Sequence, residues 1–285
     1  MIRSLSILVF VTLVVGALSA AELRSFEGCR LVEAPWADGD SFPVRFPDGS
    51  EHTVRLYGAD CLEANVNDST DARRLRAQRR YFGISDYGDS ARASIELAKS
   101  FGSKATDEVR ELLENPFTVH TAFADAGGSG QYERVYAFVQ TADGEDLATL
   151  LVRRGLARAY GIARSTAQGV HRDEYRERLE DAELVAARKG LGAWARTDWE
   201  ALPEERLIER REESETAIAT GRAPPSESLS INEASAEDLA RIPGIGEVKA
   251  RRIIDARPFE TTDGLRRVSG IGPATMEDIR EFVKP

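Results

Sequence analysis

Asp40, Arg55, Asp60 and Glu63 are the side chains in this sequence whose types and spacing point most directly to chemistry. They lie at or near the ends of a stretch that reads as a β-hairpin. Phe42, Val44 and Phe46 alternate with other residues, which is strand periodicity. Pro47-Asp48-Gly49-Ser50 is turn chemistry, because proline fixes φ and glycine supplies φ > 0. Val54, Leu56 and Gly58 then alternate with Arg55 and Tyr57. A hairpin reverses direction, so Asp40 at its start and Asp60 just past its end return to one edge. Two carboxylates at one edge repel unless a cation sits between them. Hard oxygen ligands of this kind suit calcium or magnesium rather than zinc.

In order, the residues read Asp38-Gly39-Asp40-Ser41, then Arg55-Leu56-Tyr57-Gly58-Ala59-Asp60-Cys61-Leu62-Glu63. This resembles the core motif of the staphylococcal nuclease (thermonuclease) family, D-G-D-T followed a hairpin later by R-L-x-G-I-D-x-P-E. The departures are Ser41 for threonine, Ala59 for isoleucine and Leu62 for proline. None removes a charged group, but proline would stiffen the loop that aims Glu63. The resemblance covers about Phe26 to Ala195. It implies that Asp40, Asp60 and the Cys61 backbone carbonyl hold Ca²⁺, and that Arg55 and a second arginine donate forked hydrogen bonds to the phosphate. Glu63 would orient or deprotonate the attacking water. The family's second arginine stands in a K-Y-G-R type segment, here Gln131-Tyr132-Glu133-Arg134, so Arg134 takes that place. Tyr132 matches a tyrosine near the nucleotide and Tyr160 falls near another. Packing in the core or at a rim is the other reading of both tyrosines. The resemblance further implies 3′-phosphate products, action on DNA and RNA, and no role for His52, His120 or His171.

The elements that must position these groups follow from periodicity. Residues 29–36 read as a first strand ending at Pro35, and the hairpin supplies two more. Residues 64–88 read as an insertion, in which Asp71 to Arg80 carries five arginines against one acid. That run is either a solvated helix face or a phosphate-tracking patch beside the site. Ile95, Ala98, Phe101, Ala105, Val109 and Leu112 recur at three and four, one face of a helix stopped by Asn115-Pro116. Strands follow over 117–123 and 134–139, around the flexible Gly127-Gly128-Ser129-Gly130. A helix over 146–154 ends at Gly155, and a last one marked by Tyr175, Leu179, Ala182 and Ala186 ends at Gly190. The fold class is α+β: a five-stranded OB-fold-type barrel with flanking helices.

At 285 residues, two domains are expected. The net charge of −10 argues against a general electrostatic sponge for DNA, though not against a site that grips phosphate through a metal and a few arginines. Arg3, the apolar run Leu5 to Leu18 and Ser19-Ala20-Ala21 read as a cleaved signal peptide over residues 1–21. An uncleaved anchor is the alternative, but the run is short for a span. A monomer that is secreted or periplasmic, without stable membrane association, is expected. Cys29 and Cys61 leave open a disulfide or two small apolar fillers.

Residues 196–228 read as a charged helix and a linker, with the domain boundary at Gly221–Ser228. Beyond it lies an internal repeat: L-A-R-I-P-G-I-G from Leu239 returns as L-R-R-V-S-G-I-G from Leu265. Each copy reads as helix, G-I-G hairpin, helix. Ser235 with Asp238 is a capping signal. Ile231 to Leu239, I-N-E-A-S-A-E-D-L, resembles the start of the tandem helix-hairpin-helix module of the bacterial competence DNA receptor, over about 229–285. The resemblance implies a small all-α domain that holds DNA phosphates through Gly244, Gly246, Gly270, Gly272 and Lys249. Residues 229–285 hold 9 Lys+Arg and 10 Asp+Glu, so no strongly basic patch is present. Three functions fit: a nuclease, a non-catalytic DNA grip, and an envelope scaffold binding protein through the tandem hairpins. The complete set Asp40, Arg55, Asp60, Glu63 and Arg134 favours the first.

Overall fold

The computed structural model describes residues 22–127, 133–219, 224–242, 245–268, 270–272, 275–276 and 279–285. The expected signal peptide, Tyr132 and Gly244 lie outside these residues. No helix among the described residues is long and apolar enough to cross a membrane. The chain divides into two compact units, one up to Leu202 and one from Pro203.

The first unit is built on a closed barrel. Its strands are β1 (Arg24–Leu31), β2 (Ser41–Arg45), β3 (Glu51–Leu56), β5 (Phe117–Asp125) and β6 (Arg134–Gln140). Around the barrel they run β1-β2-β3-β6-β5, with β3 and β6 parallel and β1 closing antiparallel onto β5. This is the five-stranded OB-type arrangement. The alternating apolar residues of the hairpin, Phe42, Val44, Val54 and Leu56, fill its interior with Val119 and Val139. Short strands β4 (Ala59–Cys61) and β7 (Ala157–Ala159) form a separate pair.

The first strand runs Arg24–Leu31, not 29–36. Its outer residues are polar and exposed, so its place is set by pairing with β2 and the distant β5 and not announced by alternation. Cys29 and Cys61 are buried free thiols, which decides for apolar fillers against a disulfide.

Helix α1 (Ser69–Tyr81) forms within the stretch read as an insertion, capped by Asp68, whose carboxylate accepts from the Thr70 and Asp71 amides. Helix α2 (Ala91–Leu112) buries Ala98, Phe101, Ala105 and Val109, as its period requires. Helices α3 (Leu147–Arg153) and α4 (Arg172–Lys189) follow, and Gly190 ends α4 in the left-handed conformation. Trp194 is buried in a 3₁₀ turn behind them.

Gly102 of α2 has no room for a side chain: an added Cβ would lie 2.4 Å from the Leu62 carbonyl oxygen and 2.6 Å from the Ala64 nitrogen. The helix thus backs directly onto the Leu62–Ala64 backbone. Alanine is the better helix former by about 1 kcal/mol, but here the clash is with backbone and wins. Gly102→Ala is expected to destabilise the protein by about 1–3 kcal/mol, measured by urea unfolding. Unchanged stability would contradict this packing.

In the second unit, helix α5 (Leu202–Ala219) groups with the residues C-terminal to it, so the division falls earlier than the expected linker. The apolar core of the unit nevertheless begins at Ile231, where the I-N-E-A-S-A-E-D-L segment begins. Strand β8 (Leu229–Ser230) pairs in parallel with β9 (Val283–Lys284) and ties the ends of the module together. Helix α6 (Ala236–Ala240) is capped by Ser235, and α7 (Glu247–Asp255) starts from Gly246 with no side-chain cap. The opening helix of the second copy is a 3₁₀ turn, Thr262–Arg267, a departure from the expected α-helix. Asn232 of the I-N-E-A-S segment donates to the Phe259 carbonyl and accepts from the Phe259 amide.

Candidate active site

The hairpin register places Ser41 opposite Arg55. Asp40, next to Ser41, and Asp60, leading out of the second arm, are both nearly inaccessible. The cation between them is the Arg55 guanidinium. One terminal nitrogen donates to Asp40 Oδ1 and the other to Asp60 Oδ1, each at 2.8 Å. Asp40 Oδ2 accepts from the Cys61 amide at 2.8 Å, so the two arms are stitched at backbone level as well. Arg158, from β7, donates to Asp60 Oδ2 at 2.8 Å. Gln78, from α1, donates to the same oxygen at 2.9 Å. Burial alone would raise the Asp60 carboxyl, but Arg158 and Arg55 outweigh it and hold the group below its usual range. Arg55 is held more firmly protonated than usual, chiefly by Asp40.

Glu63 follows on the same loop and is buried except for a small window. Its Oε1 accepts from Arg74 of α1 at 2.8 Å. Burial pushes its carboxyl up to about 6 despite that arginine, and Asp40 and Asp60 add to the rise. Asp38 is also raised, by burial and then by Asp40 and Glu63. Its carboxylate accepts from the Asp40 and Ser41 amides and shapes the turn. Gly39 in that turn is tight for a similar reason: a Cβ would lie 2.6 Å from that of Ala105 and 2.8 Å from the Cys61 sulfur.

A groove of about 510 Å³ opens here, lined by Trp36, Asp38, Ser41, Glu63, Arg74 and Arg134 among others. Arg134 begins β6, beside Thr53 of β3. Its Nε is buried and has no hydrogen-bond partner among the described residues. An arginine in the wall of a groove that also holds a carboxylate suits an anionic guest. Arg55, Asp40 and Asp60 are not among the walls of this groove. The fork of Arg55 is therefore engaged with the acids, whereas Arg134 lines the groove.

The donor set suits a hard divalent cation. Asp40 Oδ2, Asp60 Oδ1 and the Cys61 carbonyl each accept one hydrogen bond and keep a lone pair. The mutual repulsion of Asp38, Asp40 and Glu63 points the same way. Among the described residues no three His, Cys, Asp or Glu side chains form a ready metal cluster. A cation here would draw on the Cys61 carbonyl and water besides the carboxylates.

Tyr160 is not brought to this groove. Its ring lies 3.9 Å under the Arg158 guanidinium and lines a separate pocket with Gly58, Gly161 and Arg176. The histidines also stand away from it. His52 packs edge-on against Phe46, His120 contacts Ser25 and Gln140, and His171 caps α4. Periodicity gave no sign of Gln78, Arg74 or Arg158. The five-arginine run was a signal for Arg74, which turns inward to bond Glu63.

In the second unit Gly246 and Gly272 are exposed, as backbone phosphate contacts must be. Gly270 adopts φ +93°, open to glycine, and a Cβ there would lie 3.4 Å from Lys249 Cε. Lys249 is buried rather than displayed, with its side chain against Gly270.

A helix-hairpin-helix motif is matched by residues 225–284. A protein named deoxyribonuclease from Thioalkalivibrio sp. (strain K90mix) is 36% identical over 52 residues, which span 18% of this chain and only 14% of that protein. The description "Staphylococcal nuclease homologue" belongs to the family matched by residues 53–196, which include Arg55, Asp60, Cys61, Glu63 and Arg134. With a match over half its length, on a closed five-stranded barrel that seats those residues at one edge, this chain belongs to the staphylococcal nuclease family.

Proposed function

We propose that the protein is an exported, calcium-dependent nuclease that hydrolyses phosphodiester bonds of DNA and RNA with little sequence specificity and leaves 3′-phosphate ends. The observation that carries this reading is the groove whose walls bring Glu63 and Arg134 together. The printed name of the Thioalkalivibrio relative supports DNA as a substrate.

In this reading a water enters the groove beside Glu63, whose carboxylate takes its proton as the oxygen attacks phosphorus. Arg134 donates to the phosphoryl oxygens as their charge grows, and its fork suits them better than an ammonium would. The bond from phosphorus to the 5′ oxygen breaks, that oxygen leaves as a hydroxyl by taking a proton from water, and the phosphate stays on the 3′ side. Arg55 holds Asp40 and Asp60 together, and its guanidinium has five N–H groups, more than the acids use. Calcium held by Asp40, Asp60 and the Cys61 carbonyl would supply Lewis-acid polarisation of a phosphoryl oxygen. The second unit would hold DNA without reading sequence, through exposed hairpin glycines and the uncapped start of α7.

The test is cutting of plasmid and single-stranded DNA by the purified chain, with calcium and with chelator, and analysis of the ends. Cutting with calcium alone and 3′-phosphate ends are expected. Arg134→Ala should lower kcat by about 10²–10³-fold with little change in stability, because its Nε forms no hydrogen bond among the described residues. Intact DNA in the presence of calcium would overturn the reading.

A further inference from the structure

Gln78 is fully buried and belongs to neither motif, yet it bonds to Asp60, Cys61 and Glu63 of the site. Its amide nitrogen donates to Asp60 Oδ2 at 2.9 Å and to the Cys61 carbonyl at 2.6 Å. Its amide oxygen accepts from the Glu63 amide at 3.0 Å. Only this orientation of the amide satisfies all three contacts, since two partners are acceptors and the third is a donor. One side chain thus spans the loop from Asp60 to Glu63.

Arg74 lies four residues earlier, hence on the same face of α1. It holds the Glu63 carboxylate itself, at 2.8 Å. Leu75 is buried beside them and anchors that face to the core. Arg73 and Arg76 are exposed. The loop needs outside support, because Leu62 imposes no φ restraint of its own, as proline would. Gly102 of α2 backs the same loop.

We propose that the arginine-rich helix Ser69–Tyr81 is the positioning element of the site: Gln78 sets the backbone of Asp60–Glu63, and Arg74 sets the Glu63 carboxylate. The helix acts through its buried face, and its exposed arginines are not what the chemistry requires. The inference rests on the nuclease reading for its kinetic consequence, and on the hydrogen bonds alone for its effect on the loop.

The experiment compares the full-length wild type with Gln78→Met, Arg74→Met and Arg73→Ala. Methionine keeps the length of glutamine and its burial but makes none of the three bonds. Each variant is checked for folding by circular dichroism, for calcium binding by calorimetric titration with calcium chloride, and for kcat and KM on a short single-stranded DNA. Gln78→Met is expected to lose about 10–100-fold in kcat and in calcium affinity, with KM changed less than about threefold. Arg74→Met should lose kcat and keep KM. Arg73→Ala should match wild type. A folded Gln78→Met with wild-type kcat and calcium affinity overturns the proposal. So does a loss confined to KM and shared with Arg73→Ala, which would make the helix a grip. If Gln78→Met does not fold, Arg74→Met at its part-exposed position decides, and wild-type kcat there overturns the proposal. A wild type that cuts nothing refutes the nuclease reading instead, and the calcium titrations still decide on the clamp.

Discussion

Arg55→Ala is expected to lower cutting by about 10³-fold and to cost about 3–5 kcal/mol of folding stability. Both effects come from one geometry. The guanidinium lies between Asp40 and Asp60 at 2.8 Å from each, and both carboxylates are almost wholly buried. Without it, Asp40 keeps the Ser41 hydroxyl and the Cys61 amide, and Asp60 keeps Arg158 and Gln78. Asp40 then has no cation at all, and a buried unpaired charge is the costly case. Arg55→Lys should fall between, because one ammonium cannot fork onto two acids. Urea unfolding in chelator, beside single-turnover cutting in calcium, measures the two effects separately. An Arg55→Ala chain as stable as wild type would mean that the acids are not held as described.

Glu63→Gln should do the opposite to stability while still removing activity. Burial raises the Glu63 carboxyl from 4.5 to about 6, net of the pull of Arg74. The fold therefore prefers the protonated acid. That contribution is fully present below pH 4.5 and is lost as the pH rises through 6. Glutamine stays neutral throughout and keeps an oxygen for Arg74. In calcium-free buffer the variant should match wild type near pH 4.5 and be more stable by about 2 kcal/mol above pH 6. The side chain is only 8% exposed, so solvent screening takes little from this figure. Cutting should fall by about 10²–10⁴-fold. A site that gains stability when its acid is neutralised is one arranged for function over rigidity. Denaturant curves at pH 4.5 and 7.5 check the claim, and a variant less stable than wild type at the higher pH would contradict it.

The hairpin was legible because its information is local. Period-two alternation from Phe42 to Phe46, a proline-glycine turn and alternation again through Leu56 define faces and a reversal. Those are enough to bring Asp40 and Asp60 to one edge with Arg55 facing Ser41. The long helix α2 was legible for the same reason. The first strand was not, because its outer residues carry no alternation and its place is set by pairing with β2 and the distant β5. The extent of the second unit was half legible: its apolar core starts at Ile231, where the I-N-E-A-S segment starts, while the division of the chain falls at Leu202, ahead of the expected linker.

The sequence by itself determined which charged groups are present, that they share one barrel edge, and that a repeated hairpin module comes after them. Tertiary structure alone decided who faces whom. Arg158 reaches Asp60 from 98 residues away, and only because β7 pairs with β4. Gln78 reaches the same acid because a helix read as a charged insertion turns one face inward. Arg55 closes on the two acids while Arg134 lines the groove. A residue's type and its spacing to near neighbours fix which way it faces along its own element. Its partner across the fold depends on how distant elements dock, which hydrogen-bond satisfaction and core packing settle together.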